Sequence, residues 1–286
     1  MITESVADVA LTHHQLSTPA GELHIAEAGS GPVLVMLHGG GPGASGVSNY
    51  YQNLPVLAQR FRVILPDQPG FGGSFRPTQE QLDTDSITEI TVNALVAALA
   101  KLKVERFHLL GNSLGGAAAI ALAQCHPELV ERLVLMAPGG GWLPFGPTPT
   151  EGQKEMFRYF NGEGPTLRKM QSFIGVMTAE PKQWKDTAQA RYEASLDESH
   201  VEFYHRLNAH FANRHGMDPL WRDLHKIKAP TLLLWGRDDR TITLDGAQLM
   251  LKHIRDVQLH VFGNCGHWVQ LERQPEFERL VSDFLA

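Results

Sequence analysis

Cysteine, single-sign charge and long apolar runs are all scarce in this chain of 286 residues, and each shortage removes a class of function. With only two cysteines there is no disulfide framework, and a reducing, cytoplasmic setting is expected. Cys125 falls in an alanine-rich helical stretch and reads as core, and Cys265, just before His267, reads as packing. The 14 histidines are scattered, with no His-Glu-x-x-His and no Cys-x-x-Cys, so no metal is expected. A net charge of −6 without any lysine/arginine block argues against a nucleic-acid or anionic-membrane partner. No apolar stretch approaches the ~18 residues of a membrane span. Glu4 and Asp8 near the start, with no long apolar run, give no expectation of a secretory signal. Internal repeats and low-complexity tracts are lacking too. What remains is an ordinary globular composition, 43% hydrophobic and 20% charged, long enough for one large domain or a domain with an insertion.

Short β-type runs alternate with helical segments. The runs are Leu23–Ala26, Val33–Leu37, Arg62–Leu65, Phe107–Leu110, Leu133–Met136, Thr231–Trp235 and Gln258–Phe262. Between and after them, Ile87–Leu102, Leu114–Gln124, Leu244–Ile254 and Glu276–Leu285 carry helical spacing of apolar residues. Several runs are apolar on both faces, as strands buried beneath helices must be. The alternation predicts an α/β fold with a mostly parallel sheet flanked by helices. It breaks over 139–226, where a loop from Gly139 to Pro149 leads into three or four helical segments. Those 88 residues hold 12 of the 23 aromatics and four of the eight methionines, too apolar for a linker. They read as a helical cap inserted into a core domain of residues 1–138 and 227–286. Some of its aromatics and methionines would face a small-molecule cavity and the rest its own core.

The most informative segment is Gly111-Asn112-Ser113-Leu114-Gly115, between the run Phe107–Leu110 and an alanine-rich helix. Gly-x-Ser-x-Gly between strand and helix is a nucleophile elbow, whose flanking glycines avoid clashes in a tight turn. The bland alternative is a glycine-rich turn packing a small serine. A serine hydroxyl needs a base, and the base an orienting acid. Both occur after late strands: Gly236-Arg-Asp-Asp239 follows Thr231–Trp235, and Cys265-Gly-His267-Trp268 follows Gln258–Phe262. His267 is the predicted base. Asp238 and Asp239 compete as the acid, and the Gly-x-x-Asp spacing selects Asp239. An oxyanion hole needs a second N–H beside that of Leu114. His38-Gly39-Gly40-Gly41-Pro42-Gly43, directly after a strand, supplies such a loop and resembles the His-Gly-Gly-Gly loops of lipases and esterases. It is no dinucleotide fingerprint, since no helix and ribose-binding acid are expected to follow, and a phosphate-binding lysine is missing.

In the cap, a helix opened by Pro181 would place Trp184, Ala188, Arg191, Tyr192 and Ser195 on one face. An arginine on an apolar face snorkels out, pairs with a carboxylate such as Glu155 or Glu193, or meets a substrate anion. Asn112 offers a donor and an acceptor beside the nucleophile.

Together, His-Gly-Gly-Gly-Pro-Gly at 38–43, Gly-Asn-Ser-Leu-Gly-Gly at 111–116, Trp-Gly-Arg-Asp-Asp-Arg at 235–240 and Cys-Gly-His-Trp at 265–268 closely resemble the meta-cleavage-product hydrolases. These are carbon–carbon bond hydrolases of aromatic and steroid ring degradation, on the α/β-hydrolase fold. The resemblance covers nearly the whole chain. It implies a triad of Ser113, Asp239 and His267, and oxyanion N–H groups from Gly40 and Leu114. Gly41, Asn49, Asn112, Arg191 and Trp268 would hold the dienoate end, with Met170 and Ile174 against the apolar end. It implies no cofactor, and a homo-oligomer, tetramer or octamer. The sequence departs from the biphenyl-type enzymes at Thr241-Ile242, where those have an aromatic, and around 173–181.

The implied substrates are 2-hydroxy-6-oxo-hexa-2,4-dienoates with a 6-substituent. Hydrolysing a C–C bond needs a carbon leaving group whose charge delocalises, so a proton must move first, giving a keto form whose departing carbon leaves as an enol. Arg191 and Asn112 would bind that end, His267 would shuttle protons, and Ser113 would attack the 6-ketone. A carboxylesterase or small-amide hydrolase using the same triad is the alternative, and a slow ligand receptor on this fold is another.

Overall fold

The computed structural model describes residues 3–141, 145–214 and 216–286, with side chains from residue 6 onward. Residues 142–144 of the expected Gly139–Pro149 loop lie outside the described residues. Among the described residues, nine strands form one sheet: β1 (Thr3–Val6), β2 (Val9–Thr18), β3 (Gly21–Ala28), β4 (Val33–Leu37), β5 (Arg62–Pro66), β6 (Phe107–Asn112), β7 (Val130–Met136), β8 (Thr231–Gly236) and β9 (Val257–Phe262). Their order is β1-β2-β3-β5-β4-β6-β7-β8-β9. From β5 to β9 every pair is parallel, while β1, β2 and β3 join antiparallel at one edge. The sheet is therefore mostly parallel, as the alternation requires. The sequence reading places no strand before Leu23. Here Val9-Ala-Leu-Thr-His-His-Gln-Leu-Ser-Thr pairs as an edge-side hairpin, half exposed and hence polar in sequence.

Alternate residues of each central strand feed opposite cores. Val35, Leu37, Leu109, Leu133, Leu135, Leu233 and Trp235 face one side, and Leu34, Met36, Leu110, Val134, Met136, Leu232 and Leu234 the other. The helices are α1 (Gly46–Tyr50), α2 (Leu54–Leu57), α3 (Gln79–Thr84), α4 (Ile87–Lys101), α5 (Leu114–Cys125), α6 (Glu151–Phe160), α7 (Leu167–Met177), α8 (Lys185–Ala194), α9 (Glu198–Asn213), α10 (Ala247–His253), α11 (Val269–Glu272) and α12 (Gln274–Leu285). α4, α5 and α10 cover the first face; α2 and α12 cover the second. α5 packs tightly because its alanines and glycines present almost no side-chain bulk, and nine of its residues are buried. Cys125, however, is exposed, correcting the expectation that it is core: as the last residue of α5 it lies past the buried stripe. A second correction concerns the glycine loop, which is followed by a helix after all. α1 is only five residues long, started by a Ser45–Ser48 capping box.

Between β7 and β8 the chain leaves the sheet for α6 to α9. Their inner faces form a separate apolar cluster that includes Tyr159, Phe160, Met170, Phe173, Ile174, Met177 and Tyr204, together with Trp184 of the 3-10 turn Pro181–Trp184 that precedes α8 and Trp268 of the core. That contact puts the insertion directly over the strand ends that carry Ser113, Asp239 and His267. No described helix is long and apolar enough to cross a membrane.

Candidate active site

Ser113 stands between the end of β6 and the start of α5 with φ 55° and ψ −114°. A residue with a side chain is strained there, by about 1–3 kcal/mol, and the surroundings must hold it. They do so through the Ser113 N–H, which donates to Met136 O at 3.0 Å, and through Ser113 O, which accepts from Ala117 N at 3.1 Å and Gly139 N at 2.8 Å. The glycines explain the motif. A Cβ at Gly111 would lie 2.4 Å from Gly115 O, one at Gly115 2.4 Å from Leu37 O, and one at Gly116 2.5 Å from Pro138. Leu114 opens α5, so its N–H has no intrahelical acceptor.

The loop after β4 is wedged between this elbow and the insertion. A Cβ at Gly39 would sit 2.9 Å from Asn112 Oδ1, one at Gly40 2.9 Å from the Leu114 side chain, and one at Gly41 3.1 Å from the Phe173 ring. Gly43, at φ +65°, comes so close to α8 that a Cβ would meet Arg191 O at 2.2 Å. His38 anchors the loop from below: its Nδ1–H donates to Gly39 O at 2.8 Å, while Nε2 accepts the Gln68 N–H at 2.9 Å. That pairing makes the ring neutral, and burial pushes its pKa down to about 4.

His267 is fully buried and shares a 2.7 Å hydrogen bond, through Nδ1, with Asp239 Oδ2. The other oxygen, Asp239 Oδ1, accepts the N–H groups of Thr241 at 2.7 Å and Ile242 at 3.1 Å. The carboxylate is thus locked in place, and His267 Nε2 is left buried with no hydrogen-bond partner among the described residues. Asp238 turns outward and pairs with Arg237 at 3.0 Å. Glycine again sets the geometry. A Cβ at Gly236 would stand 1.9 Å from Gly266 O, so only glycine lets the aspartate and histidine loops touch. The His267 N–H donates to Met177 O at 2.7 Å, tying this loop to α7.

Arg191 projects from α8 into the same region and is 4% exposed. Among the described residues it has no carboxylate partner: Glu155 pairs with Arg158 and Glu193 accepts from Gln189. Its contacts are long ones, Nη1 to Pro42 O at 3.4 Å and Nη2 to Asn49 Oδ1 at 3.5 Å, with the guanidinium 5.2 Å from the Trp268 ring centre. Desolvation pulls its pKa down to about 10. Among the described residues, its Nε, Asn49 Nδ2 and Asn112 Oδ1 are all buried without partners, while the Asn112 amide N–H donates to Met136 O at 3.3 Å.

One cavity unites these groups. Gly39, Gly40, Gly41, Asn49, Asn112, Ser113, Met156, Met177, Arg191, His267 and Trp268 line it. It is closed down to about 10 Å³, the room of a single water molecule. A larger cavity of about 620 Å³ lies between α8 and α1, shares Arg191 and Gly43-side backbone with this region, and contains neither Ser113 nor His267. Met170 and Ile174 do not line the smaller cavity, which at about 10 Å³ has no room for the apolar end they are expected to meet. They pack inside the insertion, because α7 turns Phe173 toward Gly41 and Met177 toward Thr241 instead. Met156, Met177 and Phe173 were missed by sequence reasoning. The apolar spacing of α7 marked the correct helix but not which members of the stripe reach past it. At the departure Thr241, the short side chain lets α6 seat closely. A Cβ at Gly152 would already meet Thr241 Oγ1 at 2.0 Å.

The alpha/beta hydrolase fold family matches residues 32–274. The chain is 41% identical to a 2-hydroxy-6-oxo-6-phenylhexa-2,4-dienoate hydrolase of Comamonas testosteroni, over 92% of this chain and 91% of that one. It is 38% identical to a 2-hydroxy-6-oxononadienedioate/2-hydroxy-6-oxononatrienedioate hydrolase of Pseudomonas putida, with the same coverage of 92% and 91%. The solved meta-cleavage product hydrolase of Pseudomonas fluorescens IP01 superposes with a TM-score of 0.80 at 29% identity, covering 100% of this chain and 97% of that one.

Proposed function

Because the chain belongs to the α/β-hydrolase family and, within it, to the meta-cleavage-product hydrolases, we propose that Ser113, His267 and Asp239 cleave 2-hydroxy-6-oxo-hexa-2,4-dienoates carrying an apolar 6-substituent. The protein is a carbon–carbon bond hydrolase of ring-fission products. The finer reading rests on one observation above others: a buried guanidinium without a carboxylate, flanked by unpartnered amide atoms, in the cavity that also holds Ser113 and His267. A buried unpaired charge is costly unless an anion completes it.

The substrate carboxylate and 2-oxygen lie at Arg191, Asn49 and Asn112. The proton on O2 moves to C5, giving the 2,6-dioxo form with the double bond between C3 and C4. Ser113 Oγ then attacks C6 as His267 Nε2 takes its proton, and Asp239 stabilises the imidazolium. The O6 oxyanion is held by the N–H groups of Gly40 and Leu114. Collapse breaks C5–C6, the electron pair delocalises from C5 to the 2-oxygen, and the proton held by His267 passes to that oxygen, releasing 2-hydroxypenta-2,4-dienoate and leaving His267 neutral to activate water. Water hydrolyses the remaining acyl-Ser113 to a carboxylic acid. Met156 and Met177, unbranched and adaptable, move aside to admit the 6-substituent into a cavity otherwise closed. Arg191 is the one lysine or arginine lining that cavity among the described residues, which favours an apolar 6-substituent over a second carboxylate.

The test is multiple-turnover loss of dienolate absorbance with a panel of 6-substituents: methyl, phenyl, a steroid-derived group and a propionate. Highest kcat/KM on an apolar member supports the reading. Best turnover of the propionate overturns the apolar assignment, and turnover of simple esters alone makes the protein an esterase.

A further inference from the structure

Two consecutive peptide planes of the glycine loop are each pinned by one buried side chain. In a trans peptide the carbonyl and the next N–H share a plane and point opposite ways, so a hydrogen bond on the carbonyl aims the N–H. His38 holds Gly39 O and so aims the Gly40 N–H. The Tyr204 hydroxyl donates to Gly40 O and so aims the Gly41 N–H, while fixing the other side of Gly40. His38 belongs to the core, but Tyr204 comes from α9 in the insertion. Its ring has no room to wander. It stacks on Phe160 with centroids 4.0 Å apart and meets Phe71 edge-on at 5.9 Å. Burial also raises its pKa, so the phenol stays a donor throughout the working range.

We infer that Tyr204 is a positioning residue for acyl transfer, which makes the oxyanion-binding geometry of the Gly39–Gly41 loop depend on the seating of helix α9. This rests on the reading of Ser113 as nucleophile. Without the phenol, Gly40 O becomes a buried carbonyl lacking its donor, and the Gly40–Gly41 peptide rotates to find another, carrying the Gly41 N–H with it and displacing the Gly40 Cα that it shares with the plane His38 holds, hence the Gly40 N–H. The ground-state contacts of the substrate at Arg191 and Asn49 do not pass through that peptide. A transition-state mimic therefore reports the loss and a ground-state ligand does not.

The experiment compares Tyr204→Phe with wild type using phenylboronic acid. Ser113 Oγ bonds to boron, its proton passes to His267, and one boron-bound oxygen occupies the oxyanion site. The expected result is a roughly tenfold weaker boronate Ki, matched by an equal fall in dienoate kcat/KM, with an unchanged Kd for 2-oxopentanoate, which carries the carboxylate and 2-oxygen of the dienoate end and no group for the oxyanion site. Tyr159→Phe is the control. It removes another buried phenol of the insertion, one paired with Ser195 Oγ, and leaves boronate affinity unchanged. Equal boronate affinity in wild type and Tyr204→Phe overturns the inference, as does a parallel loss of 2-oxopentanoate binding, which is general loosening. A wild type that binds phenylboronic acid no better than Ser113→Ala overturns the nucleophile reading and this inference with it.

Discussion

Replacing Arg191 with glutamine separates function from stability at a single position. The guanidinium is 4% exposed, has no carboxylate partner among the described residues, and leaves Nε unpartnered. Its pKa falls from 12.5 to about 10 because burial disfavours the charge, which corresponds to roughly 3 kcal/mol. The sign follows from linkage. The folded state holds this proton more weakly than the unfolded chain does, so folding is penalised at every pH below about 10. Against that penalty stand a cation–π contact with Trp268, worth about 1–2 kcal/mol, and two long hydrogen bonds. Arg191→Gln should therefore be neutral to about 2 kcal/mol more stable, raising Tm by up to a few degrees. Removing one partner of a buried charge pair costs ~2–5 kcal/mol, so dienoate kcat/KM should fall by about 10²–10³. Hydrolysis of p-nitrophenyl acetate, which carries no carboxylate, should be unchanged. Paired thermal unfolding and dienolate absorbance assays read both effects. A variant with lower Tm and dienoate turnover within about threefold of wild type would refute the reasoning, making Arg191 a structural strut.

Asp239→Asn should lower kcat by about 10⁴, since an amide in place of the carboxylate favours the wrong His267 tautomer, whereas Asp238→Asn should leave steady-state turnover unaltered. The reverse ranking would move the acid to Asp238. Burial lowers the pKa values of both His38 and His200 from 6.5 to about 4. The unfolded chain then takes up those protons first, and stability falls as pH drops from about 6.5 to 4, by roughly 3 kcal/mol per histidine. Urea midpoints across that range should show the fall, and His200→Gln should flatten it. An unchanged slope would show that His200 does not contribute.

The central strands were readable because they are apolar on both faces, and β4, β6, β7 and β8 sit where those runs occur. The edge hairpin was not, because β2 alternates with polar residues that period alone does not separate from loop. The motif glycines were legible as a chemical necessity: Gly111, Gly115 and Gly236 each face a backbone carbonyl closer than any Cβ tolerates. The apolar lining was less legible. Met170, Phe173, Ile174 and Met177 form one stripe on α7, and their division between the insertion's core and the cavity depends on how that helix seats on Gly41 and Thr241. Tyr204 had no local signal at all, since its partner is a backbone carbonyl 164 positions away.

Ser113→Ala mixed rapidly with the 6-phenyl dienoate tests the core of the mechanism most directly. Proton transfer to C5 needs no serine, so the dienolate absorbance should still decay to the keto form while no benzoate is released. Benzoate appearing at close to the wild-type rate would contradict covalent attack by Ser113.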